Sequence, residues 1–127
     1  MAHEGFWRAT SAIMAGTPFD EAVTRSITVK IEGDRYETMV GAEVDRGDCI
    51  VDAATTPKRM TITGTDGPNK GMTYLAVYEM DDEDSLRICY DLSGKNYPDT
   101  FDATQENGYY TATYQRETPK PAEETSR

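Results

Sequence analysis

Short runs of apolar residues alternating with polar ones, cut by turn residues every eight to twelve positions, constrain this chain more than any other feature. Ile27, Val29 and Ile31 alternate with Thr28 and Lys30, Gly33-Asp34 breaks the run, and Tyr36, Thr38 and Val40 resume the period of two. A period of two is the side-chain alternation of a strand, and a short glycine-containing break between two such runs is a hairpin. The same pattern predicts strands over 6–14, 44–51, 59–63 and 72–80, at Leu86, Ile88 and Tyr90, and over 109–116. Turns fall at Thr56-Pro57, at Asp66-Gly67-Pro68-Asn69 and at Asp81-Asp82-Glu83-Asp84. Gly16-Thr17-Pro18 closes the first strand and leaves room for a brief helical turn over 19–23; the stretch 93–107 reads as irregular.

Nearly every link is too short for a helical crossover, so successive strands are antiparallel neighbours. About eight such strands predict an all-β, up-and-down barrel, with a β-sandwich as the competing geometry. Closure removes the two edges that an open sheet would offer to other chains. A barrel of this size either fills its lumen with side chains or holds one small ligand. With 127 residues, 37% of them hydrophobic, the chain supports one moderate core, expected over residues 4–117. The tail over 118–127, with two prolines and almost no apolar residue, reads as disordered.

Thirteen Lys and Arg against 23 Asp and Glu give a formal charge of −10. Such a field repels polyanions, so no nucleic-acid partner is expected. No stretch approaches the roughly 18 apolar residues of a membrane span, and Met1-Ala2-His3-Glu4 is no signal peptide. The compartment stays open between the cytoplasm and export within a longer precursor. Cys49 and Cys89 sit inside strand-like runs, about forty positions apart, and read as buried thiols; a bridge between strands is the alternative, and no Cys-x-x-Cys is present.

The chemistry-bearing residues assemble no catalytic set. The one histidine, His3, falls in a stretch expected to fray, which removes the imidazole of a nucleophile-base pair. Glu79 is either an inward carboxylate or, more ordinarily, a partner for Arg87 on the next strand. Asp81 to Asp84 offers charge without the loop that calcium needs, and the glycines over 64–71 lack the spacing and the helix of a phosphate loop. No catalytic residue, metal or cofactor is assigned. Eight tyrosines against three phenylalanines remain as the functional clue, since a ring with a hydroxyl suits a pocket of apolar walls and few polar contacts. Tyr36, Tyr74, Ala76, Tyr78, Tyr90 and Tyr114 are the lumen candidates. Tyr74, Ala76 and Tyr78 share one strand face and Leu75, Val77 and Glu79 the other, and alternation alone leaves both faces open.

Gly5-Phe6-Trp7 resembles the Gly-x-Trp of the lipocalins and their relatives, and Arg116 stands where those barrels carry an Arg on the last strand. The resemblance implies that Gly5, Trp7 and Arg116 close one barrel end by packing indole against guanidinium. A longer ordered set is similar to a lipocalin-like domain family abundant in planctomycete bacteria. It comprises Gly16, Gly33-Asp34-Arg35-Tyr36, Thr65-Asp66-Gly67-Pro68-Asn69-Lys70-Gly71, Val77-Tyr78-Glu79, Leu86-Arg87-Ile88-Cys89-Tyr90 and Pro98-Asp99-Thr100-Phe101. Tyr97 before Pro98 and the acidity of Asp81 to Asp84 depart from that pattern. The resemblance implies a lipocalin-like barrel and brings no activity. The expected function is non-catalytic binding of a small, mostly apolar ligand in the lumen. The alternative is a structural or protein-interaction domain with a packed core and loop contacts at 64–71 and 93–107, and an enzyme using Glu79 with tyrosines is a weaker third.

Overall fold

The computed structural model of the chain describes residues 3–117. In chain order the elements are β1 (Gly5–Met14), β2 (Thr17–Pro18), α1 (Glu21–Arg25), β3 (Ile27–Glu32), β4 (Arg35–Val40), β5 (Glu43–Asp52), β6 (Lys58–Asp66), β7 (Thr73–Asp82), β8 (Ser85–Asp91) and β9 (Tyr110–Arg116). Every pairing between these strands is antiparallel, in the order β2-β1-β3-β4-β5-β6-β7-β8-β9, and β1 pairs again with β9. Eight strands thus close into an up-and-down, lipocalin-like barrel, with β2 as a two-residue addition on β1. Closure rejects the sandwich geometry. The predicted strands are present with ends shifted by at most three residues, the helical turn lies slightly later than 19–23, and β2 was not anticipated. The tail over 118–127 lies outside the described residues.

The inward faces follow from register. Ile31 pairs with Tyr36, Tyr36 with Gly47, Cys49 with Ile62, Ile62 with Tyr74, Ala76 with Tyr90 and Tyr90 with Tyr110. Tyr74, Ala76 and Tyr78 therefore share the inner face of β7, and Glu79 looks outward, ion-paired with Arg87 across the β7–β8 ladder. In β1 a register shift between Ala9 and Ser11 inserts Thr10, so that Trp7, Ala9 and Ala12 all face inward although their spacing breaks strict alternation.

The two ends of the barrel differ. At one end Trp7 is fully buried, its indole Nε1 donating to the His3 carbonyl at 3.0 Å. The Arg116 guanidinium lies 4.3 Å from the Trp7 ring centre and donates to the Glu4 carbonyl at 2.7 Å and the Glu83 carbonyl at 2.8 Å. Indole, guanidinium and three carbonyls satisfy one another, so this end is sealed without an unpaired polar group on the indole. His3 corrects the sequence expectation. It is only 4% exposed, with its ring 6.0 Å from that of Tyr78, because His3 and Glu4 lie across the barrel base and His3 carries the acceptor for Trp7. Burial lowers the His3 pKa from its ordinary value.

Above the seal Met60, Leu86, Ile88, Ala76 and Ala112 fill the lumen. Small alanines against large aliphatic and aromatic neighbours keep this half dense. On the outside α1 packs against β1 and β3, with Arg8 donating to the Arg25 carbonyl at 2.7 Å and pairing with Glu117 at 2.6 Å. The β8–β9 connection is held by Asp91, which accepts from Ser93 and the Asn96 amide, and by Phe101, over which the Arg87 guanidinium sits at 4.7 Å. Tyr97, one of the departures noted above, bonds Thr61 at 2.7 Å and lies under Arg59.

Candidate functional site

The other half of the barrel is not filled. A cavity of about 170 Å³ lies between Ile27, Val29 and Ile31 of β3, Tyr36, Thr38 and Val40 of β4, Asp45 and Cys49 of β5, Ile62 of β6, Tyr74 of β7, Tyr90 of β8, and Tyr110 and Tyr114 of β9, with Asn69 and Leu92 from the loops. Tyr74 and Tyr110 stand where β7 and β9 begin and Tyr90 where β8 ends, opposite the Trp7 seal, while β3 and β4 contribute along their whole length. The aliphatic walls are on β3 and β6; the aromatic ones are on β4, β7, β8 and β9.

Two glycines allow close backbone approach beside the cavity. Gly47 and Gly64 face each other across β5 and β6 beside a register shift at Arg46, and a Cβ on Gly47 would collide with the Thr63 carbonyl and crowd the Tyr36 ring at 2.7 Å. The strands approach closely there, and the Tyr36 ring covers the gap in the inner wall.

Polar groups on the walls are bonded to one another. The Asp45 carboxylate accepts from the Tyr36 hydroxyl at 3.0 Å, the Asn69 amide nitrogen of the backbone at 3.2 Å and the Asn69 side-chain Nδ2 at 2.9 Å. Asn69 Oδ1 accepts from the Tyr74 hydroxyl at 2.7 Å. This chain of bonds ties the loop over 67–72 to β4, β5 and β7 on one side of the mouth. On the other side Tyr90 and Tyr110 stack with ring centres 5.3 Å apart, Phe19 stacks on Tyr110 at 5.7 Å, and the Tyr90 and Tyr114 hydroxyls lie 3.3 Å apart. Burial pushes the tyrosine pKa values up at 36, 90, 110 and 114, and the Asp45 bond adds to this at Tyr36. Their hydroxyls therefore stay protonated near neutrality and offer hydrogen bonds without charge. Burial, with Asp34 beyond it, pushes the Cys49 thiol up to about 12, which keeps it a neutral wall rather than a nucleophile. Cys49 and Cys89 are both free and buried.

Of the residues singled out from sequence, Tyr36, Tyr74, Tyr90 and Tyr114 line the cavity together, whereas Ala76 and Tyr78 point inward below it, in the filled half. Gly5, Trp7 and Arg116 meet at the sealed end. Sequence reasoning missed Asp45 and Asn69. The phase of β5 could have found the former, since Asp45 stands two residues before Gly47 and four before Cys49 on the same face. Among the described residues no group of three or more His, Cys, Asp or Glu could hold a metal ion, and no helix is long and apolar enough to cross a membrane. No protein-family model matches the chain, and neither curated proteins nor solved structures give a match.

Proposed function

We propose that the protein is a non-catalytic binding module whose barrel lumen takes one small, mostly apolar ligand. The observation that carries this reading is the unfilled half of the barrel, walled by aliphatic and tyrosine side chains whose polar atoms are largely satisfied by one another. Burial of apolar ligand surface supplies the affinity, at roughly 25 cal/mol per Å², and the hydroxyls fix orientation. A cavity near 170 Å³ matches about one aromatic ring with a short substituent and is too small for a sterol, since an apolar cavity of about 150 Å³ holds benzene.

Titration of the delipidated protein with an environment-sensitive apolar fluorophore tests this. Saturable one-to-one binding displaced by small aromatic compounds is expected, and folded protein that binds none of them would end the proposal. The second reading, a protein-interaction domain, draws on Met39, Val40 and Met72, apolar side chains exposed around the mouth and the loop over 64–71. Under that reading substitution of Met72 would impair partner binding and leave the fluorophore unaffected.

A further inference from the structure

Asp45 is the one charged residue on the cavity wall among the described residues, and no lysine or arginine lines it. Arg46 and Arg35 are engaged elsewhere, Arg46 with Glu37 at 2.8 Å and Asp66 at 3.2 Å and Arg35 with Asp48 at 2.8 Å, and Lys70, next to Asn69, is exposed and does not line the cavity. All three donors to Asp45 are neutral groups: a phenol, a backbone amide and a carboxamide. A carboxylate accepts at about four lone-pair positions, so three bonds leave capacity for one more, and Oδ1 receives only the Asn69 amide. Asp45 is half-buried at the mouth, and a charged donor there makes a stronger bond to its carboxylate than the neutral donors it has. Tyrosine faces beside it add a second attraction for a cation.

We propose that the ligand is a protonated aryl-alkyl amine, its ring among the tyrosines and its ammonium on Asp45. This rests on the reading of the lumen as a ligand site and narrows it to one charge class. Carboxylate ligands are disfavoured by the same group, and the net charge of −10 steers cations toward the protein and anions away.

Phenethylamine, 2-phenylethanol and phenylacetate share a ring and differ in the charge they bring. Calorimetric titration of the whole chain with each is expected to rank the amine about tenfold or more above the alcohol, because both can donate to the carboxylate but only the ammonium brings an opposite charge, with phenylacetate weakest. Asp45→Asn is expected to abolish the amine's advantage over the alcohol, whatever it does to the affinity of either, and Tyr36→Phe, which keeps the carboxylate, to preserve the ranking. An alcohol or carboxylate that binds as well as the amine overturns the amine assignment and leaves a ligand lumen standing. Failure of all three, together with the apolar fluorophore, overturns the lumen reading itself. Should Asp45→Asn not fold, the ranking on the unaltered protein decides.

Discussion

Gly5 sits where the chain enters the barrel with φ +139°, and a Cβ there would run into Arg116 Nη1. That guanidinium cannot swing aside freely, because it is held over Trp7 and bonded to the Glu4 and Glu83 carbonyls. Gly5→Ala therefore combines backbone strain with loosening of the seal, and is expected to cost about 1–3 kcal/mol in denaturant unfolding with the slope unchanged. At this scale Gly5, Trp7 and Arg116 were legible only through their resemblance to the Gly-x-Trp and last-strand arginine of the lipocalins, since a tryptophan on a first strand is by itself an ordinary core residue. Asp45 and Asn69 were not, because Asp45 lies in a predicted strand whose inward face was not fixed and Asn69 in a predicted turn. Nor was the burial of His3, which depends on Trp7 needing an acceptor rather than on any property of His3.

Strands were legible because a half-buried ladder imposes a period of two, and each hairpin shows its turn residues. What alternation could not yield were the places where the period slips: Thr10 in β1, the shift at Arg46 in β5, and the brief β2. The shift in β1 decides which of its residues reach the lumen. The β5–β6 pair depends on two facing glycines, and Gly47→Val would force a branched side chain into the Thr63 carbonyl and the Tyr36 ring. The expected loss is about 3 kcal/mol in chemical denaturation, with the Tyr36–Asp45 bond lost as well. Removing that bond alone by Tyr36→Phe should cost about 1 kcal/mol, so the two effects separate.

Across the molecule, one half of the barrel is packed for stability and the other is left open at the mouth, a division that composition does not reveal. The core also gathers Cys49 and four tyrosines whose folded pKa values all lie above their ordinary ones, 9.0 for the thiol and 10.0 for the phenols. Below pH 9 these groups are protonated in folded and unfolded chains alike and stability is intact. Above it the unfolded chain sheds protons that the folded one retains, so stability falls as pH rises through about 9 to 12. Tyrosinate absorbance is accordingly expected to rise for these rings in one cooperative step with the loss of near-ultraviolet dichroism, and gradual ionisation of a still-folded protein would contradict it. The seal also has a mechanical meaning. β1 begins and β9 ends at the same barrel end, side by side and antiparallel, with the Glu117 amide bonded to the Phe6 carbonyl at 2.8 Å. Tension between the two ends would peel these strands apart one rung at a time instead of shearing all rungs together, and the first rungs to feel it include Trp7 and Arg116. The pair that plugs the barrel is therefore also its clasp, and a pull strong enough to part it meets only single rungs beyond.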